Sequence, residues 1–374
     1  MNAPDPSDLR ARVRQLRLPL LLLFLVPIAP VLHYLLDVRA AWIFGAGALA
    51  IAVLADWVRR ATEQVATRAG PAIGGLLNVS FGSIAELILA LFVLADGKVD
   101  VVRAQITGSI IGTGLLGLGI AIVAGSIGRR RQRFNRSKAS QLSTLLILCM
   151  IALLLPAVFD FTGRYLTQEP VTVPEEQLSL GVSMVLIALY AANLIYTLIT
   201  HRDVFASKEP REKEGADRWS IWLSVGVLVL ATTLIAWQAE LVSSALDETS
   251  KAFSLSPVFV GVIVLALVGT ASDLFAAAFF ARAGKMNLVF NICVGSAIQV
   301  ALVVAPLLVI GSWLMGQPMT LVFRNPLNLF AIASAVLTVN AISADGEATW
   351  FEGVLLIGVY VLLGLAFYFT APIA

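Results

Sequence analysis

Gly74-Gly75-Leu76-Leu77-Asn78-Val79-Ser80-Phe81-Gly82-Ser83-Ile84-Ala85-Glu86-Leu87-Ile88-Leu89-Ala90-Leu91-Phe92-Val93-Leu94 is long and apolar enough to cross a bilayer, yet it carries a carboxylate. That residue is Glu86, and Asn78, Ser80, Gly82 and Ser83 lie near it. A charge at membrane depth is costly unless it faces a partner, a cavity or an ion, so an intramembrane acid marks a site.

The surrounding composition fits that reading. The chain has 374 residues, 59% hydrophobic and 13% charged, whereas a soluble domain carries about a quarter charged residues. The expected fold is an all-α polytopic membrane protein. At about 20 apolar residues per span, eleven helices are expected near 18–36, 40–56, 72–95, 102–127, 140–160, 178–200, 219–240, 256–281, 287–313, 324–343 and 350–372. Cys149 and Cys293 both lie in apolar runs, which suggests neither a disulfide framework nor a thiolate metal site. Arg10, Arg12, Arg14 and Arg17 precede the first apolar run without a small-residue cleavage site, so residues 1–17 read as a cytoplasmic tail.

Orientation follows from the basic residues. With the N-terminus inside, 20 of the 26 Lys and Arg fall on the cytoplasmic side, and the C-terminus lies outside. The run Arg129 to Lys138 belongs to this bias; contact with anionic headgroups is the rarer alternative. The stretch His201 to Arg218 mixes both signs and reads as a solvated linker, with ion sensing again the rarer alternative.

The chain also repeats itself. Gly82-Ser83-Ile84-Ala85-Glu86 returns as Gly269-Thr270-Ala271-Ser272-Asp273, an offset of 187. At that offset Gly97-Lys98 matches Gly284-Lys285, and Gly108-Ser109 matches Gly295-Ser296. Ala55-Asp56 aligns with Ala239-Glu240 at offset 184. The acidic motifs fall on the third and eighth helices, an odd number of spans apart, so the halves must be inverted. The organisation is 1 + 5 + 5: tail and extra helix (1–39), first repeat (40–200), charged linker (201–218) and second repeat (219–374). Glycines and serines at such positions are commonly small-residue helix contacts. Two membrane carboxylates have no such packing use.

Inverted halves would bring Glu86 and Asp273 together near the midplane. Hard oxygen ligands suit hard cations such as Ca2+, and Asn78, Ser80, Ser83, Ser109, Thr113, Thr270, Ser272, Ser296 and Gln299 could supply neutral oxygens. No His or Cys stands among these positions, which argues against zinc or copper. A buried carboxylate pair without its cation favours protons. A site that holds either a divalent cation or protons, and opens alternately to each side, is an antiporter.

These motifs resemble a known family. Gly75 to Phe92, followed by Gly108-Ser109-Ile110, is similar to the first signature region of the calcium/proton exchangers, within the calcium/cation antiporter superfamily. Gly269 to Asp273, with Gly295-Ser296-Ala297-Ile298-Gln299-Val300-Ala301-Leu302-Val303-Val304-Ala305-Pro306, resembles the second. The resemblance implies a secondary transporter rather than an enzyme, which exports Ca2+ in exchange for H+ across what reads as a bacterial inner membrane. It implies no cofactor and no nucleic acid; the partners are membrane lipid, the transported cations and, where it assembles, a second copy. It puts the essential acids on Glu86 and Asp273, with Asp56 and Glu240 as accessory acids. Ser83, Thr270 and Thr113 stand where the family usually has asparagines, and Asp273-Leu274 where it has Glu-His. Gly-Thr-x-x-Asp also looks like the sodium/calcium exchanger branch, which keeps that as the alternative. A channel or an intramembrane enzyme is more distant; the histidines, His33 and His201, fall in the first helix and in the linker.

Overall fold

The computed structural model describes residues 22–36, 38–167, 172–196 and 219–370. The basic tail, the start of the first expected span and the 201–218 linker lie outside the described residues. Among those described, nine helices are long and apolar enough to cross a membrane. Two shorter apolar helices, Leu23–Leu35 and Ile84–Ala95, accompany them.

After α1 (Ile28–Leu35), α2 runs unbroken from Ala40 to Gly82 and α3 from Ile84 to Ala95. The sequence places a break between 56 and 72; the chain instead stays helical there and breaks at Ser83. The charged stretch holds its helix through pairs on one face: Arg59 with Asp56 (2.7 Å) and Glu63 (2.6 Å), and Arg60 with Asp56 (2.6 Å). Such i,i+3 and i,i+4 pairs support a helix where hydropathy falls. α4 (Val99–Ile111), a wide-turn segment (Gly112–Gly117) and α5 (Leu118–Gly125) make one continuous crossing, and most of its residues are buried.

A two-residue strand, β1 (Gln132–Arg133), leads to α6 (Arg136–Thr167) and α7 (Thr172–Ile195). α8 spans Ile221–Ala252, about a dozen residues beyond its expected end. α9 (Pro257–Phe259) and a second wide-turn segment (Val260–Leu265) enter α10 (Ala266–Arg282). α11 (Met286–Gln299), a third such segment (Val300–Val304) and α12 (Ala305–Leu314) form the second mostly buried crossing. α13 (Pro326–Ser343), β2 (Glu347–Ala348) and α14 (Trp350–Phe369) complete the chain. β2 pairs antiparallel with β1, a ribbon that the hydropathy pattern does not announce. Arg131 and Arg133 both reach Glu347 across it.

The matched Gly-Lys turns have the same backbone. Gly97 and Gly284 have φ of 76° and 77°, a left-handed conformation that favours glycine. Lys98 N donates to Val93 O, and Lys285 N to Phe280 O; Gly97 N donates to Leu94 O, and Gly284 N to Ala281 O. Both are helix C-caps of one type. They lie at opposite ends of the bundle, because the α4–α5 crossing starts beside Lys98 and ends with Gly125 packed on Ala281, close to Lys285.

Arg103 is buried within α4. It donates to Thr320 O and Thr320 Oγ1 (2.9 Å each) and pairs with Asp100 (2.8 Å). This clamps the α12–α13 connection onto α4. Arg103→Met leaves the Thr320 carbonyl without its charged donor, an expected loss of about 1–3 kcal/mol. Thermal unfolding in detergent reads it; an unchanged midpoint would contradict the clamp.

Candidate functional site

Ser83 ends α2 and begins α3, so Glu86 falls in the first turn of α3. Glu86 is 3% exposed. Neither of its carboxylate oxygens has a hydrogen-bond partner among the described residues. The Ser83 and Ser109 hydroxyls flank it without closing to a hydrogen bond, and Asp273 is its electrostatically coupled acidic neighbour. A buried carboxylate with both oxygens open is an unusual expense in a folded protein and signals a group kept ready for a ligand.

Glycines let the halves meet here. A Cβ at Gly269 on α10 would stand 2.6 Å from Glu86 Cγ. A Cβ at Gly82 would stand 2.9 Å from Gln299 Oε1 on α11. Each motif glycine thus makes room for a polar side chain from the other half. Ser83 Oγ donates to Gln299 Oε1 at 3.3 Å. Asp273 is half-buried on α10, with Ser296 of α11 beside it. Ser296 Oγ is buried and has no partner among the described residues.

Thr113 and Thr270 are both buried. Each hydroxyl donates to its own helix, Thr113 to Ser109 O and Thr270 to Ala266 O, both at 2.8 Å. That ties the hydrogens and leaves oxygen lone pairs for a cation. Thr270 faces Gly112, where a Cβ would be 3.7 Å from its Oγ1. Two of the wide-turn segments adjoin this cluster, and one contains Thr113. Such widenings recur at functional sites because they free carbonyls from the regular ladder.

The structure therefore gathers Glu86, Ser83, Ser109, Gln299, Asp273, Ser296, Thr270 and Thr113 around one place. Ser272 is buried on α10 with no contact to that group recorded among the described residues. The side chains of Asn78 and Ser80 lie outside the described residues. Asp56 has both oxygens on Arg59 and Arg60, and Glu240 is exposed on α8. Two residues escaped the sequence reading. Gln105, buried on α4, donates to the Glu86 backbone carbonyl at 3.3 Å. Arg59 stands within electrostatic reach of Asp273. Neither belongs to the matched motifs, so repeat comparison had no signal for them.

The arrangement offers two carboxylates and several hydroxyl and amide oxygens, a hard-ligand set. The family model described as "Sodium/calcium exchanger protein" matches residues 39–199 and 223–369. The chain belongs to the sodium/calcium exchanger protein family. Within this family it is 37% identical over 361 residues to a protein of Aphanothece halophytica named Ca(2+)/H(+) antiporter, covering 93% of this chain and 95% of that one. It is 38% identical over 346 residues to a Bacillus subtilis protein named Ca(2+)/H(+) antiporter ChaA, covering 92% and 96%. The solved structure of native YfkE superposes with a TM-score of 0.81 at 33% identity, over 94% of this chain and all of that one. The H+/Ca2+ exchanger CAX superposes with a TM-score of 0.71 at 16% identity, over 95% and 92%, which shows the exchanger-family fold. The family assignment and the superpositions agree with the all-α membrane architecture expected from composition.

Proposed function

We propose that this exchanger-family chain is a secondary active antiporter that moves Ca2+ out of the cell in exchange for H+. The observation that carries the reading is the buried Glu86 carboxylate, open on both oxygens and coupled to Asp273. With Ca2+ present, the pair neutralises the divalent charge while Ser83, Ser109, Ser296, Thr113, Thr270 and Gln299 supply further oxygens. With Ca2+ gone, protons take its place. The two states compete for one site, which couples the two flows.

Several observations support two inverted five-helix halves after an extra first helix. The family model matches one stretch on each side of the charged linker. The Gly-Lys turns agree in backbone at offset 187 and lie at opposite ends. Matching wide turns, Gly112–Gly117 and Val300–Val304, fall at nearly the same offset. The basic-residue bias supports a cytoplasmic N-terminus and a C-terminus outside, and the likeness to bacterial antiporters supports a bacterial inner membrane. Alternating access about a central site is then the mechanism.

Everted membrane vesicles test the reading. An imposed interior-acid gradient is expected to drive Ca2+ uptake in sodium-free buffer, and collapse of that gradient to stop it. Uptake that requires a sodium gradient would reject proton coupling in favour of sodium/calcium exchange, which the hydroxyls at Ser83 and Thr270 would also suit.

A further inference from the structure

The Gly-Lys turn that follows α3 is fastened to a neighbouring helix. At the Lys98 end, Lys98 Nζ donates to Ser243 O at 2.7 Å and lies 3.4 Å from Asp247 Oδ2, both on α8. Ser243 Oγ donates to Asp96 Oδ2 at 2.5 Å. Three contacts therefore fasten the turn between α3, which carries Glu86, and α4 to the long helix α8. Lys98 is mostly buried by them, with 15% of its side chain exposed.

The α8 residues have counterparts on α2. Ala239-Glu240-Leu241-Val242-Ser243-Ser244-Ala245-Leu246-Asp247 aligns at offset 184 with Ala55-Asp56-Trp57-Val58-Arg59-Arg60-Ala61-Thr62-Glu63. Alanine, acid, valine, alanine and acid recur in register. Asp247 thus maps onto Glu63, as Lys98 maps onto Lys285. α2 and α8 run antiparallel, with Gly47 against Val242 and Arg68 donating to Trp219 O. Glu63 and Asp247 therefore sit toward opposite ends of that pair. In this structure Glu63 is held by Arg59 at 2.6 Å.

We propose that Lys98–Asp247 and Lys285–Glu63 are alternating latches: the first closes one end of the site, and the second closes the other when the transporter reverses. The proposal rests on the inverted-repeat reading. In an inverted repeat, one half adopts in the reversed state the conformation its mate holds now. The contact seen once must then appear at the mate's positions. Glu63 leaves Arg59 for Lys285, and Asp247 releases Lys98. Neither pair touches the cation; both are positioning residues that set which side the site faces. An ion pair whose acid is exposed to solvent, as Asp247 and Glu63 are, is weak, so two such latches hold the states nearly balanced, as turnover requires.

Cross-linking tests this on the full chain in membranes, with Cys149 and Cys293 replaced by alanine. Cysteine pairs at 98 and 247, and at 285 and 63, are treated with a short bis-maleimide. Both pairs are expected to cross-link. A chain with all four cysteines is expected to carry one bridge or the other, read by peptide mapping. Lys98→Met in the 285/63 background should raise the cross-link yield roughly threefold to fivefold, the scale of a surface pair. Absence of the 285–63 product, or both bridges in the same molecules, would overturn the proposal. Should a cysteine variant fail to fold, the exchange Lys285→Glu with Glu63→Lys is expected to restore the detergent-stable transport that Lys285→Glu alone loses; failure to restore it also counts against the latch. The cross-links are read on the protein itself, so they stand or fall apart from which ions are exchanged.

Discussion

Glu86→Gln and Asp273→Asn each reduce Ca2+ transport by at least about two orders of magnitude, the scale of removing one partner from a buried charge arrangement. Both replacements keep the side chain's size and its hydrogen-bonding oxygen. What they remove is a charge and a proton-binding group. With one carboxylate left, a bound divalent cation carries an uncompensated positive charge in a buried place. For Glu86 the environment sharpens the effect. It is 3% exposed, both oxygens are open, and Gly269 is shaped around its Cγ. Gly269→Val should reproduce much of the loss with the charge intact, because the new side chain would enter the space Glu86 occupies. The measurement is pH-gradient-driven 45Ca2+ uptake normalised to protein in the membrane. Wild-type uptake in either carboxylate variant would refute the site.

Gly108→Ala destabilises the protein, whereas Gly295→Ala changes stability little. The two glycines are repeat mates, each followed by serine. A Cβ at Gly108 would collide with the backbone carbonyl of Val262 and with Ala266 Cβ. Backbone cannot rotate aside as a flexible side chain can, so α4 and the start of α10 must part. Overpacking of this kind costs about 1–3 kcal/mol. At Gly295 nothing lies within 4 Å of the corresponding Cβ. Unfolding of both variants in the same detergent gives the comparison; equal losses would contradict it. The result also separates two uses of one motif, close helix contact at Gly108 and, at Gly295, open space next to Ser296, the neighbour of Asp273.

Much of the architecture was legible because hydropathy is a local signal. A run of twenty apolar residues has few stable places other than a membrane. The helix boundaries were less legible. Residues 56–72 read as a loop because Asp56, Arg59, Arg60 and Glu63 lower the hydropathy, yet their mutual pairs keep α2 helical. The β1–β2 ribbon was invisible because its strands are two residues long and 214 residues apart at Arg133 and Glu347. In the site, the matched residues were readable from the repeat, while Gln105 and Arg59 were not, since neither has a mate of its own type in the other half.

By itself the sequence determined that this is a membrane protein with two embedded acids in matched surroundings. Charge in an apolar span is too costly to be incidental, and a repeated motif carries its own alignment. The tertiary structure decided which neutral groups join those acids. Ser83, Ser109, Ser296 and Gln299 converge because glycines at 82 and 269 allow helices from both halves to approach. It also decided that Asp56 is spent on Arg59 and Arg60, and that Lys98 reaches across to Asp247. The Asp56 pairs are local, three and four residues apart, but the meeting of Ser83 with Gln299 and of Lys98 with Asp247 spans well over a hundred residues of chain, and no local pattern encodes it.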